Sequence, residues 1–178
     1  NKNEGNELIW ILEHPSVFTA GTSSCKNEIL DKSIDIIKTS RGGKITWHGP
    51  GQLICYLVIN LNNRKKDIRK FVNILENSII ETLNEYGIKS YSDRKNIGIW
   101  VNAKDKREKV GAIGIKVKRW IAYHGFSLNV SNDLSNYKKI IPCGIKNKGV
   151  TSLKKISNND FNKISEKIIN NLYSNLKI

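Results

Sequence analysis

The sequence predicts a single α/β (α+β) domain, a mixed and largely antiparallel sheet with flanking helices. Its 178 residues suffice to bury one sizeable core without staples, and no repeat, linker or low-complexity stretch divides residues 1–178. Short apolar runs rich in β-branched and aromatic residues recur in both halves. Two further stretches space their apolar residues by three and four, as amphipathic helices do.

In chain order, "LIWILE" (Leu8 to Glu13) reads as a short buried strand and "HPSVFTAG" as a turn-rich loop. "IDIIKTS" reads as a second strand leading into the glycine-rich loop "RGGKITWHGPGQ", residues 41–52. "QLICYLVINL" (Gln52 to Leu61) has the content of a buried strand. A helix follows, with Ile68, Phe71, Val72, Leu75, Ile79, Leu83 and Tyr86 on one face, Asp67 to cap its start and Gly87 its end. "IGIWV", "KVGAIGIKV" and "WIAYHGFSLNV" read as an antiparallel meander, the first two joined by the charged turn "NAKDKREK". A last helix is expected from about Ser157, where Ser157 and Asp160 match a capping box, through Phe161, Ile164, Ile168, Leu172 and Leu176.

Composition narrows the chemistry. Cys25, Cys55 and Cys143 are odd in number and widely spaced, which argues against a disulfide framework and points to a reducing compartment. His14, His48 and His124 lie far apart, so no metal is expected. No apolar run reaches the length of a membrane span, and no signal peptide is visible. The expected location is the cytoplasm, or a mitochondrial or plastid matrix if a transit segment has been removed before Asn1. The net charge of +14 favours an acidic partner, unless the scattered lysines are ordinary solvated surface.

The glycine loop matches neither the phosphate-loop nor the dinucleotide pattern, so no nucleotide cofactor is indicated. Strict alternation along "KVGAIGIKV" would set Lys109 on one face with Gly111, Ile113, Ile115 and Val117. A lysine there either snorkels out at the strand end or is partly desolvated, which favours a neutral amine. Cys143, between Pro142 and Gly144, sits where backbone turns and a thiol can be presented. Neighbouring cations and backbone N–H groups are what would make such a thiol reactive. His48 and His124 each sit beside a glycine, where each could orient a substrate or serve only structure.

Three blocks, "RGGKITWHGPGQLICYLVINL", "KVGAIGIKVKRWIAYHGFSLNV" and "IIPCGIKNKGVTSL", resemble the signature blocks of the lipoyl(octanoyl) transferases. With "LIWILEHPSVFTAG" the likeness spans most of the chain, which nevertheless starts near the first core strand without the family's usual N-terminal helix. The resemblance implies a fold similar to the catalytic module of biotin and lipoate protein ligases. It also implies transfer of an octanoyl group from acyl carrier protein to a lipoyl-domain lysine. Acceptors would be the lipoyl domains of 2-oxoacid dehydrogenase complexes or the glycine cleavage H protein, and the enzyme a monomer needing no cofactor, nucleic acid or membrane. By position, Cys143 corresponds to the acyl-accepting cysteine and Lys109 to its partner lysine. The substrate-lining blocks fall on Arg41, Gly42, Gly43, Lys44, Ile45, Thr46, Trp47 and His48, on Ala112, Ile113 and Gly114, and on Gly125, Phe126 and Ser127. Two rivals are an ATP-dependent lipoate ligase on the same fold, which needs no catalytic cysteine, and a basic nucleic-acid-binding domain. The second would explain the charge but not Cys143, Lys109 and the glycine loop together.

Overall fold

The β-branched run Gln52–Asn60 forms a nine-residue strand, β5, beside which the main sheet is laid. The structure, a computed structural model, describes residues 6–103, 106–141 and 149–177. On one side β5 pairs antiparallel with β1 (Leu8–Leu12), and on the other with β9 (Ile121–Asn129). Beyond β9 come β8 (Lys106–Lys118), β7 (Ile99–Ala103) and β6 (Ser90–Ser92), all antiparallel. The two-residue β10 (Gly149–Val150) joins β8 in parallel, Val150 opposite Lys109. A separate small sheet holds β3 (Ile36–Lys38), β2 (Val17–Ala20) and β4 (Ile45–His48), with β2 in the middle.

Helices α1 (Ile68–Asn84) and α3 (Ile164–Leu176) cover one face of the main sheet. Asp67 caps α1 by accepting the Lys70 N–H at 2.9 Å. The three- and four-residue spacing turns Phe71, Leu75, Ile79 and Leu83 inward, against Leu53, Cys55, Leu57 and Ile59 of β5 and Ile168 and Leu172 of α3. Each such side chain contributes about 1.5–3 kcal/mol of burial. A smaller cluster, Phe18, Ala20, Ile45, Trp47 and Ile140, packs against the far side of the small sheet.

Four local expectations change. β1 is an edge strand rather than a buried one: Ile9 and Ile11 face the core while Leu8 and Trp10 stay 48% and 57% exposed. The segment read as a turn-rich loop contains β2, and the glycine loop gives way at Ile45 to β4. The charged turn is shorter than its composition suggests, since β7 and β8 stay paired out to Ala103 and Lys106. The last helix starts at Ile164, because Ser157 closes the short α2 (Leu153–Ile156) and turns its Oγ to the Asn159 N–H. Asn159 then donates to the Tyr86 carbonyl at 2.6 Å and Phe161 packs on the Tyr86 ring, so this turn is held by the end of α1 and not by a capping box.

Candidate active site

The face of the main sheet away from the helices meets the small sheet across a cavity of about 680 Å³. Alternation along β4 decides which side chains reach it. Thr46 and His48 line the cavity, whereas Ile45 and Trp47, both expected to line it, are only 2% exposed and belong to the core behind the small sheet. The Trp47 indole N–H donates to Ser16 Oγ there, at 2.9 Å. On the opposite wall β5 contributes Ile54 and Tyr56, β8 contributes Ala112, Ile113 and Gly114, and β9 contributes Gly125, Phe126 and Ser127.

Arg41, Gly42, Gly43 and Lys44 close one side. The Gly42 N–H donates to the Ile115 carbonyl at 3.0 Å, docking this loop on β8. A Cβ on Gly42 would lie 2.8 Å from that oxygen, and one on Gly114 would lie 3.1 Å from the Gly42 carbonyl. Backbone approaching backbone is thus what both glycines permit. Arg41 stiffens the loop, its Nη2 donating to the carbonyl and hydroxyl of Thr19, each at 2.9 Å. Lys44 pairs with the buried Glu28 at 2.6 Å.

Lys109 reaches the cavity by a route that strict alternation misses. Ile99 faces Gly111 while Trp100 faces Lys109, so Val110 is the extra residue of a β-bulge. Val110 packs in the main core, as do Ile113, Ile115 and Val117. The bulge therefore reverses the phase, and Lys109 shares its face with Ala112, Gly114 and Lys116 instead of with the apolar set. It does not snorkel: the residue is 7% exposed, and its Nζ donates to the Ile97 carbonyl at 2.9 Å beside the Trp100 ring. Cys143 lies outside the described residues. Of the described chain flanking it, the Ile141 N–H donates to the Glu28 carbonyl and the Thr151 N–H to the Lys109 carbonyl.

Two histidines border the cavity. Alternation would send His124 to the core with Ala122 and Phe126, but its φ of +67° turns the ring to the cavity, where Nε2 lies 3.1 Å from Ser40 Oγ. Burial, then Arg41 and Lys116, push its pKa down. His48 is held harder: burial lowers its pKa to about 4, Arg41 and His14 adding to the effect against the hydrogen bond that its Nδ1 donates to the Gln52 amide oxygen at 2.7 Å. His14 Nε2 lies 2.6 Å from the hydroxyl of Tyr56, whose pKa burial raises. Among the described residues no three His, Cys, Asp or Glu side chains gather as a metal would need.

Sequence reasoning missed Thr19, Ile54, Tyr56, Asn96 and Ile97 as cavity residues. Alternation along β5 could have found Ile54 and Tyr56; nothing in the sequence marks Asn96 or Ile97. The site as a whole is a cavity with Ile54, Ile97, Ile113 and Ile115 in its walls and the Lys109 amine among its lining groups. That suits a flexible apolar chain carrying a reactive polar end.

The model of the lipoyl protein ligase A/B catalytic domain matches residues 1–172. A curated relative from Novosphingobium aromaticivorans, named octanoyltransferase, is 49% identical over 148 residues, 83% of this chain and 67% of its own length. Among solved structures, a bi-partite lipoate protein ligase from Thermoplasma acidophilum aligns with a TM-score of 0.79 at 13% identity, covering 98% of this chain and 73% of that one. Biotin protein ligase from Aquifex aeolicus aligns with a TM-score of 0.54 at 20% identity, covering 71% of this chain and 53% of that one. Both structures share the fold expected from the sequence.

Proposed function

The chain belongs to the lipoyl protein ligase A/B catalytic domain family, and from that premise we propose that it is an octanoyltransferase of protein lipoylation, drawing on octanoyl acyl carrier protein through a thioester on Cys143. The observation that carries this reading is an apolar cavity with a buried amine, Lys109, in its wall, in a chain 49% identical to a curated octanoyltransferase. The enzyme is an acyltransferase and its acceptors are lipoyl-domain lysines, those of 2-oxoacid dehydrogenase complexes or of the glycine cleavage H protein.

In the first half-reaction the Cys143 thiol gives its proton to the Lys109 amine and the thiolate attacks the octanoyl thioester. The bond from acyl carbon to carrier sulfur breaks, the carrier thiolate recovers the proton from Lys109, and the octanoyl group rests on Cys143. In the second half-reaction the acceptor amine attacks that thioester, an amide forms, and Cys143 leaves as thiolate. Lys109 takes the surplus amine proton and returns it to the thiolate, so the enzyme ends as it began. The hydrogen bond from Lys109 to the Ile97 carbonyl and its packing against Trp100 support this role by fixing the amine in place. The net charge of +14 fits acidic carrier proteins approaching the cavity.

The test is to mix the enzyme with a lipoyl domain and either octanoyl acyl carrier protein alone or free octanoate with ATP. Octanoylation of the domain lysine from the carrier without ATP is the expected result. Octanoylation only from octanoate and ATP would make the protein a ligase and remove the thioester from the account.

A further inference from the structure

Among the described residues, the exposed groups that line the cavity fall in two regions: Ser23 and Gly43 on the small-sheet side, and Lys95 and Ile97 between β6 and β7. The second region lies beside Lys109. The Ile97 carbonyl accepts from Lys109 Nζ at 2.9 Å, yet the Ile97 side chain is 50% exposed, so a single residue separates the buried amine from solvent. The first region is remote from it. Gly42 docks on β8 at Gly114 and Ile115, five or more residues along the strand from Lys109, which is about 15 Å at an extended rise.

Helix α1 extends the mouth beside Lys109 outward. Val72 lines the cavity, and Glu76, one turn later, is buried with its carboxylate facing the Gly98 N–H and the Ser92 hydroxyl. This stripe of the helix is thereby set against the β6–β7 connection. One turn before Val72 the stripe carries Ile68, 43% exposed, and the exposed Arg69. Ile68, Val72 and Ile97 form an apolar strip that leads to the amine. The exposed charge around it is positive, from Arg69, Arg94 and Lys95. The neighbouring acids are engaged: Asp67 caps α1, Asp93 accepts from the Lys95 N–H, the Asn96 amide and Arg107, and Glu76 is buried.

We propose that this apolar strip and its basic rim are the docking surface for the acceptor, a small acidic domain that presents its lysine on an exposed turn. The inference rests on the octanoyl-transfer reading, in which Lys109 takes the surplus proton of the acceptor amine. Reach selects the occupant. A lysine stem is four methylenes long, so the domain bearing it comes to rest within one side chain of the reacting atoms, and a mouth one residue thick allows that. The donor carries its acyl group on a longer phosphopantetheine arm, which lets its carrier rest farther out. Charge agrees with reach: an apolar contact rimmed by cations steers an acidic domain into place and rejects a basic one.

The test has two arms on the full chain. In the first, nitrogen-15 spectra of the labelled enzyme are followed as the lipoyl domain is added with no donor present. The largest shifts are expected at residues 68–72 and 94–97. Shifts confined to another face, or none at all, overturn the inference. In the second arm, Ile68→Ser and the double variant Arg69→Glu with Arg94→Glu are each to raise KM for the lipoyl domain about tenfold. Acylation of the enzyme by octanoyl acyl carrier protein is to stay unchanged, and the effect of the charge reversals is to shrink as salt is raised. The control is Lys38→Glu with Lys163→Glu, the same change of charge on exposed residues of β3 and at the start of α3, and it is to leave that KM as it was. An unchanged KM in both surface variants overturns the inference. So does an equal rise in the control, which assigns the effect to net charge, or an equal loss of enzyme acylation, which assigns the surface to the donor. An unaltered chain that transfers no octanoyl group overturns the proposed function, and the first arm, which needs no turnover, still decides whether the domain docks here.

Discussion

Replacing His48 by glutamine is predicted to erase a defined part of the protein's acid sensitivity. In the native state the ring is half-buried, and its desolvation pushes the pKa down to about 4, against 6.5 for an unperturbed imidazole. Between those values the unfolded chain holds a proton that the folded chain refuses, so the unfolded state binds more protons and stability falls as pH is lowered. The contribution is fully present above pH 6.5 and is lost as pH falls toward about 4. Its size is about 1.4 kcal/mol per pH unit across that window, about 3 kcal/mol in all. The assay is urea unfolding of both chains at pH 7, 6, 5 and 4. Carboxylates and His124 are common to both chains and cancel in the difference. Glutamine costs packing too, but as an offset that does not vary with pH. The stability difference between the chains should therefore shrink steadily below pH 6.5. Two curves that stay parallel from pH 7 to pH 4 would mean that His48 is not held neutral by its surroundings.

Lys109→Arg should lower turnover by about 10²–10⁴-fold, because guanidinium keeps its charge but cannot give up a proton; near-normal turnover by the folded variant would remove the proton-shuttle role. Trp47→Ala should cost about 3–5 kcal/mol in urea unfolding as a core deletion, and a stable variant with a changed KM would instead return Trp47 to the cavity wall. Gly42→Ala drives a Cβ to 2.8 Å from the Ile115 carbonyl and should lift the loop from β8, raising KM for the octanoyl donor by about tenfold. Unchanged kinetics for that variant would show that the docked loop plays no part in binding.

Where the pattern is local and regular, the sequence reads well. Asp67 and the Phe71–Leu83 spacing announce α1, and the β-branched run from Gln52 announces β5, because capping and alternation act over a few residues. The glycine loop is visible for the same reason, although what its glycines accommodate is the backbone of β8. The lining blocks locate the right segments, yet only alternation separates Thr46 and His48 from Ile45 and Trp47. Lys109 exposes the limit of that reasoning. Its face depends on a single extra residue, Val110, whose placement is decided by Ile99 and Trp100 on a neighbouring strand. His124 is turned by a positive φ that no residue type at its position dictates. The hydrogen bonds that run from Thr151 through Asn129 and Gln52 to His48 join residues that only the sheet brings together.

Catalysis through a covalent octanoyl-enzyme on one named sulfur is read out by intact-mass analysis after mixing with octanoyl acyl carrier protein. Cys55 is buried, and burial pushes its thiol up to about 12, so it is not expected to react; Cys25 is exposed but apart from the cavity walls. One octanoyl increment is expected on the unaltered chain, kept in Cys25→Ser and Cys55→Ser and absent from Cys143→Ser. An octanoyl increment that persists in Cys143→Ser would contradict it.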